Sequence, residues 1–181
     1  MGIGRNRAFT LLELILVLVI LSAGAALVVP RFGGVAARQR LRAAACELMS
    51  ISGRARAEAS ALALRYRLVL DAEERKYWVE RESEPLSEPN EFSLVPRSWA
   101  RVRELPRAME FEQVDYADEE LAERREEAGS FYVEFRPDGT ADPVVIYVAS
   151  EAGDRIALQI EEATGRATVR AAEEEPLGSI L

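Results

Sequence analysis

Hydrophobic patterning divides the chain into three regions. After a short leader, MGIGRNRA, the sequence is apolar from Phe9 to Val29 apart from one charge, Glu13. About 21 residues at 1.5 Å each make roughly 31 Å of helix, enough to cross a bilayer. From Val35 to Leu64 the period changes. Good helix formers dominate, and Leu41, Ala45, Leu48, Ala55, Ala59 and Leu62 recur on one face, with Arg38, Arg40, Arg42, Glu47, Arg54, Arg56 and Glu58 on the others. This spacing predicts an amphipathic helix continuing the apolar one. Pro30 and Gly33-Gly34 lie at the junction, where bending or local melting is expected.

Beyond Leu64 the period falls to two. Arg65–Leu70 and Lys76–Arg81 predict a hairpin around a turn at 71–75. The acidic stretch 82–90, with Pro85 and Pro89, reads as an exposed loop. Short strands are expected at Trp99–Val102 and Met109–Val114, and the charged run 117–128 as a solvated helical turn or loop ended by Gly129. Ser130–Phe135, the turn Arg136-Pro137-Asp138-Gly139-Thr140 and Val144–Val148 form a second hairpin. Arg155–Ile160 and Arg166–Arg170 form a third, and residues 173–181 read as a loose acidic tail. A sheet built from these strands needs its apolar face covered, and the stripe on 41–62 is the available cover.

Charge adds orientation. The leader holds Arg5 and Arg7 and no acid, which places it on the cytoplasmic side of a span. An ordinary secretory signal fits poorly, because Leu27, Val28 and Val29 still follow the small residues of SAGAA. A plain anchor explains the length but not Glu13, since a carboxylate in hydrocarbon costs several kcal/mol. From Arg31 on there are 21 bases and 30 acids, a net charge of −9. Such a domain is poorly suited to nucleic acid, which calls for clustered bases. The chain has no His and one Cys, which excludes His-based catalysis, His-ligated metal and an intrachain disulfide. Cys46 is expected to be a buried small hydrophobe. Asp138 and Asp142 suggest a calcium loop, but the turn accounts for Asp138 and Gly139, so no metal or cofactor is expected.

The stretch Ala8-Phe9-Thr10-Leu11-Leu12-Glu13 resembles the N-terminal signal of type IV pilins and pseudopilins. The resemblance implies that a prepilin peptidase cuts between Ala8 and Phe9, that Phe9 is then N-methylated, and that Glu13 is the fifth mature residue. The residue before the cut is Ala8, where the family's pattern has Gly. Pro30 falls where many members have a helix-bending Pro. The resemblance further implies pairing of the Glu13 carboxylate of one subunit with the Phe9 amine of another, which would set the register between subunits in low dielectric.

Phe135–Pro143, Ile146-Tyr147-Val148 and Thr164-Gly165-Arg166 are similar to the H-type minor pseudopilins of type II secretion. That similarity implies an α+β fold, a long N-terminal helix packed on an antiparallel β-sandwich. The expected organisation is a leader at 1–8, a transmembrane and assembly helix at 9–30, its amphipathic continuation at 31–64, a periplasmic β-rich domain at 65–172 and the tail. The expected function is that of a non-enzymatic minor pseudopilin in the inner membrane and periplasmic pseudopilus. Its implied partners are other major and minor pseudopilins and the prepilin peptidase, without nucleic acid. The alternative is a minor type IV or competence pilin.

Overall fold

A computed structural model of the chain describes residues 11–127 and 129–172; for 23–35, 88 and 127 it describes the backbone alone. The first element is one helix, α1 (Leu11–Leu62), followed by strands and a short second helix. The backbone is helical through Pro30 and Gly33-Gly34, so the junction does not melt. By compactness the chain divides into two units, Met1–Arg38 and a second from Gln39 onward.

In the second unit, the α1 stripe is buried at Leu41, Ala44, Ala45, Leu48, Ile51, Ala55 and Ala59. Leu62, expected in the stripe, is 46% exposed. The helix stops there. Ala63 takes a left-handed conformation (φ 53°) and the Leu64 N–H donates to the Ala59 carbonyl at 3.3 Å, a Schellman-type close. Cys46 is exposed rather than buried. It follows Ala45, whose side chain is wholly buried, and one step along a helix turns a residue about 100° away from the stripe.

Two antiparallel sheets complete this unit. The first has the order β3 (Glu88–Leu94), β2 (Lys76–Glu84), β1 (Tyr66–Asp71), β7 (Ser130–Phe135), β6 (Glu126–Glu127), with β4 (Arg103–Glu104) also paired to β2. The second has the order β10 (Ala167–Ala171), β9 (Arg155–Ile160), β8 (Val144–Ser150), β5 (Met109–Tyr116). Tyr66, Leu68 and Leu70 of β1 join Val133 and Phe135 of β7, Ile146 and Val148 of β8 and Leu158 of β9 in one core with the helix stripe. Tyr77 meets Phe111 edge-on across the sheets, with ring centroids 6.2 Å apart. Burial pushes the Tyr77 hydroxyl up to about 12, with the Glu47 carboxylate adding to the shift.

Three expectations are corrected. Residues 82–90 are not a loop: β2 runs to Glu84, turns at 85–87 and returns as β3. Pro89 is tolerated because β3 is an edge strand, and Glu82 is buried because Arg65 pairs with it. Trp99–Val102 is not a strand but a turn, packed rather than laddered. The Ala100 carbonyl accepts from the Val79 N–H at 3.2 Å, and the Arg54 guanidinium lies 5.1 Å from the Trp99 ring centre. The second hairpin does not form: β7 pairs with β1 and β6, and β8 with β5 and β9, so the 136–140 turn carries the chain from one sheet to the other. Within 117–128 the expected helical turn forms as α2 (Glu119–Arg125), capped by the Asp118 carboxylate on the Leu121 N–H at 2.7 Å.

Candidate assembly site

The N-terminal stretch of α1 is apolar on every side. Ten large side chains from Leu11 to Leu21 are between 48% and 79% exposed. A surface helix normally keeps one polar face, and a helix apolar all round needs lipid or neighbouring helices around it. Glu13 is the one charge in this stretch and sits in the first turn, where the helix dipole favours an anion. Of the expected site residues, Ala8 and Phe9 lie outside the described residues, and of Pro30 only the helical backbone is described. Among the described residues, no helix is long and apolar enough to cross a membrane. The expected span, 9–30, extends beyond the described side chains at both ends.

The C-terminal motif has a structural purpose that its geometry makes plain. Asp138 accepts from the Thr140 N–H at 3.0 Å and its hydroxyl at 2.7 Å, and Gly139 takes φ 90°. These bonds hold the Asp138 carboxyl below its ordinary range. Gly165 takes φ 57°, and a Cβ there would sit 2.7 Å from the Gly139 carbonyl and 2.8 Å from Cδ of Arg56. The turn between β7 and β8 and the β9–β10 hairpin turn thus rest on each other and on α1, and only glycine fits at the contact.

Asp142 is a residue whose role the sequence does not signal. It is fully buried and is no turn ligand; it anchors a charge network. It accepts from the Glu134 N–H at 2.9 Å and pairs with Arg125 at 2.7 Å and with Arg136. Arg125 comes from α2, 17 residues earlier, so no local spacing signals the pair. Burial disfavours the charge on Arg125, but the Tyr132 hydroxyl and Asp142 outweigh it and raise its pKa. Next to it, Glu134 pairs with Arg67 at 3.4 Å and Arg65 at 3.6 Å, and Arg65 also holds Glu82. The hydrogen bond from Arg65 lowers the Glu82 carboxyl below its usual range. The charged 117–128 segment is thereby pinned to the sandwich by its last helical residue.

Comparison with known proteins adds two findings. Residues 3–29 match the prokaryotic N-terminal methylation motif. The fold is similar to two solved structures of the minor pseudopilin EpsH from the type II secretion system of Vibrio cholerae. One is 12% identical, with a TM-score of 0.57 over 76% of this chain and 98% of that one. The other is 9% identical, with a TM-score of 0.56 over 73% and 97%. This chain has the fold of these minor pseudopilin structures, together with an N-terminal methylation motif. No curated protein sequence matches it. At such low identity the resemblance lies in topology. In this chain the topology rests on the buried stripe, the paired turns and the Asp142 network.

Proposed function

We propose that the chain is a minor pseudopilin subunit of a type II secretion system. Prepilin peptidase cuts between Ala8 and Phe9, and Phe9 is N-methylated. Residues 9–30 then hold the subunit in the inner membrane as a single pass, with the β-rich domain in the periplasm. From there it enters the periplasmic pseudopilus beside other pseudopilins, bending at Pro30, with Glu13 paired to a neighbour's Phe9 amine. Its work is assembly and not catalysis. The observation that carries this reading is the stretch from Leu11 to Leu21, apolar on every side and exposed at each large side chain, with one carboxylate in it. Such a surface calls for a second environment, first lipid and then neighbouring helices. The likeness to EpsH favours the secretion machine over a pilus, and the −9 charge from Arg31 onward disfavours a DNA-binding competence pilin.

Mass spectrometry of the membrane-extracted protein tests the first step. The expected N-terminus is methyl-Phe9. An intact Met1, or a cut near Ala26, contradicts the reading. Deleting the gene should impair secretion and leave twitching and DNA uptake intact.

A further inference from the structure

The outer face of the first sheet carries a cleft that the assembly helix does not explain. Strand register builds it in two rows. Val69 of β1 lies between Trp78 of β2 and Tyr132 of β7, and Arg67 lies between Glu80 and Glu134 in the same strands. Phe92 of β3 covers Arg67, with the guanidinium 3.5 Å from its ring centre, and Tyr132 flanks it at 4.1 Å. The resulting cleft has a volume of about 400 Å³. Outer faces of sandwich sheets are ordinarily polar, yet here Trp78, Phe92, Tyr132 and Val69 line one depression. Tryptophan, tyrosine and arginine are the residues that dominate binding hot spots.

The charges on the cleft decide what it takes. Arg67 is already matched by Glu134 and stacked between two rings, so it serves as a fixed wall. Glu80 is held by the Trp78 indole N–H at 2.8 Å, and Glu91 lines the same cleft. An apolar floor with carboxylates at its rim complements a side chain with an apolar stem and a cationic head. A guanidinium fits best, since it stacks on an aromatic face and forks onto a carboxylate together. We infer that this cleft is a docking site for an arginine-bearing segment of a partner protein, with Trp78 as the stacking surface and Glu80 as the counter-charge. The inference stands apart from the pseudopilus reading, because it uses only the sheet.

The test is a titration of the 15N-labelled full-length protein in non-ionic detergent, followed at the two tryptophan indoles. The probes are acetyl-Gly-Arg-Gly-amide and acetyl-Gly-Glu-Gly-amide, and Trp78→Phe assigns the signals. The expected result is a saturable shift of the Trp78 indole with the arginine peptide alone. The Trp99 indole, packed under Arg54, should stay still and report an intact fold. Glu80→Gln keeps an acceptor for the indole but removes the charge, and should weaken binding about fivefold. A Trp78 signal that ignores the arginine peptide, an equal response to the glutamate peptide, or unchanged affinity in Glu80→Gln would each overturn the proposal.

Discussion

Two stretches of one helix meet opposite fates. Leu11–Leu21 exposes every large apolar side chain, whereas Leu41–Ala59 buries Leu41, Leu48, Ile51 and four alanines against the sheets. Both are rich in helix formers, so local propensity does not separate them. Periodicity does. The second stretch has a polar face and finishes its burial within its own chain, while the first has none and must finish it elsewhere. Substitutions in the second should therefore change folding, and substitutions in the first should change assembly and leave folding alone.

The largest expected effect lies in the sandwich. Asp142→Asn removes the carboxylate that matches Arg125 and Arg136 and leaves two guanidinium groups without it, which should cost about 3–5 kcal/mol. Urea unfolding measures it, and a loss below about 1 kcal/mol would show that the network is not the anchor described above. A matched pair then tests the contrast within the helix. Leu48→Ala, at a side chain with no exposure, should cost about 3 kcal/mol. Leu16→Ala, at one 55% exposed, should change the same unfolding transition by less than about 0.5 kcal/mol. Equal effects would erase the distinction.

Alkaline pH separates the two regions in one sample. The folded Tyr77 titrates at about 12 against an ordinary 10, so its contribution is fully present below pH 10 and lost as pH rises toward 12. Tyr116 is raised too, mainly by burial, and works in the same direction. The sandwich should weaken steadily over that window by circular dichroism. Membranes washed at pH 11 should nonetheless retain the protein, because the apolar stretch does not depend on the sandwich. Release into the wash would contradict that independence.

The parts legible in the sequence were those with local causes. The Pro137-Asp138-Gly139 turn forms as expected, because Pro presets φ and Gly139 supplies a positive φ, but β7 and β8 enter different sheets instead of pairing, which a local turn signal does not reveal. The Leu41–Ala59 stripe was legible from its spacing. The β2–β3 hairpin was not, because its acids and prolines look like loop chemistry until Arg65, 17 residues away, is seen to pair with Glu82. Trp99 looked like strand material, yet a cation stacked on its ring holds it in a turn. Of the proposed assembly site, Ala8, Phe9 and Glu13 stand in one contiguous motif, which is why the sequence can put them forward together. The outer cleft could not, since Trp78, Val69 and Tyr132 become neighbours only through the pairing of three strands.

The central claim is that Glu13 serves contacts between subunits and contributes nothing to the fold of its own domain. Site-specific crosslinking between this subunit and other pseudopilins, in cells carrying wild type or Glu13→Ala, tests it most directly. Cleavage at Ala8 is checked in the same cells and the domain's unfolding midpoint in purified protein. The account predicts normal cleavage, an unchanged midpoint and loss of the crosslink together with secretion. A processed Glu13→Ala subunit that crosslinks and supports secretion as well as wild type would contradict it.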